Sequence, residues 1–559
     1  MTVADYHAGV VPRSDASDSA SSSVHRWPTA LRWVLGASIV LNLAGIWWGY
    51  PAQWVPNELI PPVVLDGLRQ HFSHGWWDTY PPFHFYVLSA AMSPVLMLQA
   101  LGLLRLTDVQ STVVLGLIFR LVSIAAGAGI VVATYRAGAM TFGERAGVAA
   151  AALFTLVAPF LYYGKTANTD VPYIFWWALS LVYYLRALDR PALRDYLGFA
   201  VTATLSVCTK DQAYALFLLP AAVLVTELWR LNRQSGVRRL FWHALVDRRL
   251  LWPAAVAVAL FALIHNLAFN LEGFRAHVAY LIGPGSQTYR AFDPTLAGRW
   301  ALLKLTVRLI VESLGWPVFI VCMAGGAIAL ATPRLRRPTW WLLVPVVSYY
   351  LGFINVILYN YDRFVLPICL VLAVFGGLAI DRFLGSVREQ WSWRAAVTTA
   401  VFAYTLLYAS SVDVLMIRDS RYEVREWLLA HTRPGDLIAK TFDDEYNPRL
   451  DGFHVQGVDD IGQLQHWQPV FFVLNADYAR AVPTDSAIGA LIAGLQDRTL
   501  GYRLAHRRRT LAPFPWLPFG HPDLVGPRED RAVFGILRDI NPTIEVYERF
   551  TLASGAAER

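Results

Sequence analysis

Residues 54–86 read WVPNELIPPVVLDGLRQHFSHGWWDTYPPFHFY and place three acids, Glu58, Asp66 and Asp78, among histidines, prolines and aromatic rings. A carboxylate in such a stretch is suited to general-base work, taking the proton from an acceptor hydroxyl or amine. Glu58 follows Pro56-Asn57 and precedes the apolar run 59–65, so it also suits a helix N-terminal acid held by the dipole. Asp78 stands before Pro81-Pro82, where it either caps a turn or shares a cation or an acceptor with Glu58. Asp66 lies in the amphipathic LDGLRQHF and reads as part of a solvated helix face. A connector between helices needs about 2–8 residues. This one is several times longer, and its aromatic content argues against disorder.

A second group of polar residues interrupts apolar runs further on. Asp170, in YYGKTANTDVPYIFWW, is either a helix cap or, with Lys165 and Asn168, part of a charged rim. Lys210 and Asp211 break two apolar stretches in CTKDQAYALFLLP; they form a structural ion pair, or the ammonium meets a lipid phosphate. Arg290 ends GPGSQTYR and Arg363 sits in YNYDRFVLP. A guanidinium binds phosphate oxygens in bidentate fashion, or snorkels as an interfacial anchor. Arg120 lies well inside an apolar run, and burying it unpaired is costly. Together these residues suit a lipid-phosphate ligand, with cations at headgroup height and an apolar wall for a long chain. The sequence has no Walker or Rossmann phosphate loop, and its three cysteines match neither a zinc site nor a disulfide framework. A divalent cation, Mg or Mn, held by Glu58, Asp78 and Asp170 remains open.

The elements that must carry these residues are membrane helices. The chain has 559 residues, 55% hydrophobic and only 16% charged, against about 25% charged in soluble domains. Its 21 Trp, 25 Tyr and 29 Phe suit interfacial belts. Apolar runs of spanning length recur at 31–50, 83–103, 112–135, 146–163, 171–188, 195–208, 212–229, 251–270, 302–330, 339–358, 364–381 and 394–412. Basic residues at Arg136 and Arg145, at Arg186, Arg190 and Arg194, in 230–249 and in 334–337 mark four cytoplasmic loops, so nucleic acid is a poor reading of the +7 charge. With the N-terminus inside, the pattern holds if 83–103 is juxtamembrane or re-entrant; otherwise it spans and a neighbouring run does not. The loops around Glu58, Asp170, Lys210, Arg290 and Asp362 then face outside, as does everything after about residue 412. The expected architecture is a polytopic α-helical membrane protein of about 11–13 spanning helices. It comprises a disordered tail at 1–26, a transmembrane domain at 27–412 with a first external loop at about 51–110, and a small α/β extracytoplasmic domain at 413–559.

Several stretches resemble, in order and character, the GT-C glycosyltransferases that use polyprenyl-phosphate sugars, in particular bacterial relatives of protein O-mannosyltransferases and of the lipid A aminoarabinose transferase. They are WVPNELIPP, WWDTYPPFHFYVLS, FRLVSIAAGAGIVVATYRAGAMTFGERAG, KTANTDVPYIFWWALSLVYYLRAL, CTKDQAYALFLLPAAVL, YDRFVLPICLVLAVFGG, REWLLAHTRPGDLIA and INPTIEVYER. The resemblance implies a GT-C fold with juxtamembrane helices in the first external loop, in a bacterial inner membrane. It also implies an inverting transfer: a loop carboxylate activates a protein, lipid or glycan acceptor, and polyprenyl phosphate leaves. Glu58 and Asp78 are then the catalytic candidates. Asn57, Tyr80, His84, Arg120, Lys165, Asp170, Lys210, Arg290 and Arg363 are the donor-binding ones. One departure is that the leading loop aspartate of that family is Asn57 here, and an amide cannot be a general base. The rival readings are a lipid or sugar flippase or transporter, for which no inverted repeat is visible, and a catalytically inactive GT-C scaffold.

Overall fold

The computed structural model describes residues 27–73, 79–234, 241–385, 393–480, 482–511, 513 and 540–550. Most of the chain is helical. In order come α1 (Thr29–Leu43), α2 (Pro61–Ser73), α3 (Phe83–Ala100), α4 (Asp108–Phe142), α5 (Glu144–Thr155), α6 (Ala158–Tyr163), α7 (Asp170–Asp189) and α8 (Leu193–Val207). Next are α9 (Leu218–Gln234), α10 (Phe241–Leu245), α11 (Arg248–Ile264), α12 (Leu271–Ile282), α13 (Pro284–Gln287), α14 (Leu296–Leu314), α15 (Trp316–Ala331) and α16 (Pro333–Tyr349). A π-turn at Tyr350–Ile354 leads through α17 (Asn355–Ile357) to α18 (Leu366–Leu384), α19 (Trp393–Ile417) and α20 (Ser420–His431).

Local chemistry sets several of these boundaries. Thr107 and Gln110 form a reciprocal capping box that starts α4, and Gly143, at φ 103°, separates it from α5. Among the described residues, seven helices are long and apolar enough to cross a membrane, or eight if a bent pair is one span. One sequence expectation changes here. The run 302–330 is not one straight span: Gly315 at φ 73° and Pro317 in the first turn of α15 break it, and α14 and α15 meet at 111°. Of the run 83–103, residues Phe83–Ala100 form α3, which has the length and hydropathy of a crossing helix, the second of the two readings left open for it. At Gly325 a Cβ would run into the Phe375 carbonyl, so α15 and α18 pack backbone against backbone.

After α19 the chain turns to a mixed α/β unit. Strands β1 (Leu437–Lys440), β2 (His454–Gly457), β3 (Phe471–Asn475), β4 (Tyr502–Arg508) and β5 (Ile544–Arg549) form one sheet in the order β2-β1-β3-β5-β4. β1 is parallel to β2 and β3, and β5 is antiparallel to β3 and β4. All five residues of β3 are buried, as befits a central strand covered on both faces. Val424 and Leu428 of α20 cover one face against Ile438, Phe471 and Val473; Leu491 and Leu495 of the helix Ala487–Gln496 cover the other. The expected boundary at residue 413 falls inside α19, which runs on to Ile417. The tail 1–26 lies outside the described residues.

Candidate functional site

The first loop is built around a buried ion pair. Arg120, from the middle of α4, is fully buried. Its Nε and NH2 donate to the two Glu58 carboxylate oxygens at 2.8 and 2.7 Å. Its NH1 donates to the Ile46 and Trp48 carbonyls at 2.6 and 2.7 Å, and the guanidinium lies 4.0 Å from the Tyr50 ring. Glu58 also accepts the Ala167 N–H at 2.8 Å, while the Leu59 N–H donates to the Ala167 carbonyl. Glu58 precedes α2 rather than standing in its first turn, so the cap reading fails. Asn57, beside it, is exposed and left-handed at φ 58°, a conformation asparagine tolerates. Asp66 is exposed and accepts from Gln70, as a solvated face requires.

Lys165 is equally committed. Its ammonium donates to the carbonyls of Leu41 and Ala44 and to Asp413, tying the end of α1 to α19. Burial lowers its pKa, with Asp413 opposing. Arg120 and Lys165, expected as donor contacts, are therefore used up inside the protein. Each is 0% exposed, and the bonds on Arg120 serve the loop that carries Glu58.

A different set of residues converges at the mouths of α7, α9 and α18. Asp170 opens α7, its N–H donating to Asn168 Oδ1. Its carboxylate does no capping: it takes Lys210 Nζ at 2.6 Å on one oxygen and stands 4.0 Å from Arg363 NH1 with the other. Lys210 precedes the 3-10 turn Asp211–Leu216 in extended backbone, which turns it from its neighbour. The Lys210–Asp211 pair does not form; Asp211 meets His277 Nε2 at 3.1 Å instead. Burial brings the Lys210 ammonium down to about 8, with Asp170 working against the shift. The Arg363 guanidinium sits 5.4 and 5.3 Å from the rings of Tyr361 and Phe364, and its buried Nε has no hydrogen-bond partner among the described residues. Beneath, Gln212 Nε2 donates to the hydroxyls of Tyr173 and Tyr349 at 2.9 and 2.8 Å. Tyr80 closes the group: burial pushes its phenol up to about 12, with Arg363 pulling down and Asp170 up.

The remaining candidates divide. Arg290 is exposed, on a segment where the N–H groups of Ala291 and Phe292 donate to the Leu358 carbonyl and Tyr289 meets Tyr359. His84 is buried in the first turn of α3, and its Nε2 has no partner among the described residues. Asp78 lies outside the described residues. The carboxylates proposed for a divalent cation are otherwise engaged, Glu58 by Arg120 and Asp170 by Lys210, and among the described residues no group of three His, Cys, Asp or Glu can hold a metal ion.

The sequence marks Asp362 only as lying in an external loop, not as a site residue. Its Oδ1 accepts from the Tyr163 hydroxyl at 3.0 Å and the Arg363 N–H at 2.8 Å, while its buried Oδ2 has no partner among the described residues. The available signal was an acid at the mouth of an apolar helix, which demands a partner for the same reason an arginine does.

Comparison with known proteins bears on this arrangement. Residues 103–252 match the family model described as dolichyl-phosphate-mannose-protein mannosyltransferase. That range carries Arg120, Lys165, Asp170 and Lys210, four of the eleven candidate residues, so the expected resemblance recurs over that part of the chain. The curated proteins contain no match. Similar solved structures include ArnT from Cupriavidus metallidurans bound to undecaprenyl phosphate, at 14% identity and a TM-score of 0.46 over 81% of this chain and 94% of that one. The Archaeoglobus fulgidus oligosaccharyltransferase in complex with Zn and sulfate gives 12% identity and a TM-score of 0.44 over 92% and 88%. The archaeal oligosaccharyltransferase AglB from the same organism, in complex with an inhibitory peptide and a dolichol-phosphate, gives 14% and 0.46 over 93% and 88%. Likenesses of that size carry no residue-level correspondence.

Proposed function

We propose that this chain is a multi-pass membrane glycosyltransferase that moves a sugar from a polyprenyl-phosphate donor to a protein, lipid or glycan acceptor on the extracytoplasmic face, with inversion. The observation that carries the reading is the group of Lys210, Arg363 and Asp170. Two cations share one carboxylate at the mouths of apolar helices, and one of them keeps a buried N–H with no partner among the described residues. A phosphate is the natural partner for that N–H. The match of residues 103–252 to a mannosyltransferase family model supports the same substrate class.

In the proposed reaction a first-loop carboxylate takes the proton from the acceptor O–H or N–H, and the freed pair attacks the anomeric carbon. The bond between that carbon and the phosphate oxygen breaks, and the phosphate leaves with the electrons. Lys210 and Arg363 hold the charge that develops there, which is where fixed cations accelerate such a step most. Of the two loop acids, Glu58 already holds three donors, so we assign it to fixing the loop and Asp78 to the proton.

The test is transfer from a radiolabelled polyprenyl-phosphate sugar by the full chain in proteoliposomes. Lys210→Met and Asp78→Asn are each expected to abolish it in folded protein. Transfer that survives both substitutions refutes the assignment, and donor movement across the bilayer without transfer supports a flippase instead. A second reading, an inactive scaffold, is favoured by the exposed amide of Asn57 beside Glu58; lipid-phosphate binding with no transfer under any condition would establish it.

A further inference from the structure

The C-terminal α/β unit is bonded directly into the first loop. Arg421, in the first turn of α20, is 1% exposed. Its Nε and NH2 hold both Asp419 oxygens at 2.9 and 2.8 Å, and NH1 donates to the Glu445 carbonyl at 2.9 Å. The guanidinium lies 4.1 Å from the Trp54 ring centre and 5.5 Å from that of Trp48. The Trp48 indole N–H donates to Asp419 Oδ2 at 3.0 Å, and the Trp54 indole N–H donates to the Asn447 carbonyl at 2.9 Å. The Gly49 N–H donates to the Tyr422 hydroxyl, and the Tyr422 ring packs 4.8 Å from Trp54.

Trp48 works in two directions. Its side chain is held by the α/β unit, and its backbone carbonyl accepts from Arg120, which in turn grips Glu58. Trp48, Trp54, Arg120, Asp419 and Arg421 are all 0 or 1% exposed, so nothing in this chain of contacts is screened by water. Buried ion pairs contribute little net stability against apolar residues of the same shape, and their best-attested use is to fix one arrangement. Tryptophan planes between an arginine and a ring edge restrict rotation in the same way.

We propose that Asp419 and Arg421 are positioning residues for the membrane site, setting the placement of Arg120 and Glu58 through Trp48 and Trp54. The α/β unit is then a structural part of the first-loop site, and what displaces α20 is felt at Glu58. The kinetic arm of the test rests on the transferase reading above; the exchange arm does not.

The experiment uses the full chain in nanodiscs with Trp48→Phe, which keeps a ring and removes the N–H to Asp419, and with Arg421→Lys, which keeps the charge. Hydrogen exchange of the amides in 46–59 is read against the sheet β1–β3 as internal reference. Faster exchange in the loop of both variants, with the sheet unchanged, is expected. In the transfer assay kcat should fall about tenfold with the donor KM unmoved, since misplacement of positioned groups costs rate rather than affinity. Combining Trp48→Phe with Arg120→Lys should give less than the product of the two single effects, because both act through one contact. Unchanged exchange in 46–59, or single effects that multiply, overturns the proposal. Were the wild type to show no transfer, the function above would fail while the exchange result still decided the positioning role. If Arg421→Lys does not fold, Trp48→Phe alone decides it.

Discussion

Replacing Arg120 by leucine isolates the pair on which the first loop rests. The guanidinium supplies two hydrogen bonds to Glu58 and two to the carbonyls of Ile46 and Trp48. Without it, a carboxylate whose side chain is 1% exposed loses both guanidinium bonds and keeps the Ala167 N–H. Removing one partner of a buried pair costs about 3–5 kcal/mol, and orphaned carbonyls cost about 1–3 kcal/mol each. The added apolar contact of leucine offsets part of this, so a loss on the order of 5 kcal/mol is expected. Glu58→Leu leaves an uncompensated guanidinium and falls in the same range. The double variant removes both charges and is expected to cost less than the sum of the singles by about 3 kcal/mol. The assay is denaturant titration of the full chain in mixed micelles, followed by circular dichroism. An Arg120→Leu loss below about 1 kcal/mol, or a double variant equal to the sum, would refute the arrangement.

Two further expectations are simpler. Lys210 is protonated below its pKa of about 8 and neutral above it, so affinity for a lipid phosphate should weaken as pH rises from about 7 to 9, while Lys210→Arg stays flat across that interval; identical profiles would remove Lys210 from the phosphate site. Gly325→Ala places a methyl against the Phe375 carbonyl, whereas Gly326→Ala meets open space. The first should cost about 1–3 kcal/mol or more and the second almost nothing, measured by the same titration.

The legible part of the fold is what composition writes locally. Apolar runs announce helices such as α4, α7 and α18 because a mostly apolar stretch of about twenty residues has few other uses. The break at Gly315 is invisible by that route, since one glycine at φ 73° leaves the mean apolarity of 302–330 untouched. At the site, Arg120 declares from its position that it needs a partner, but not that the partner stands 62 residues earlier in the chain. Lys210 and Asp211 mislead for the opposite reason. Adjacency suggests a pair, whereas neighbouring side chains on a turn point apart, and each finds a distant partner, Asp170 and His277. Lys165 was legible as a cation on the outer rim, but the two carbonyls and Asp413 that consume it belong to α1 and α19, which no local pattern joins to it.

The bond from Trp48 to Asp419 spans 371 residues, and that separation has a consequence for how the protein is made. At ribosomal speeds of about 5–20 residues per second, Trp48 waits on the order of 20 to 70 seconds before its partner exists. The Lys165–Asp413 staple waits in the same way, since α19 is the last long helix to be inserted. Throughout that interval the first loop has its contacts to Arg120, the 165–170 turn and the other membrane helices, but none to the α/β unit. The last segment to be synthesised therefore closes the first, and a chain cut short before residue 419 carries every candidate donor-binding residue yet lacks the contact that sets the first loop in place.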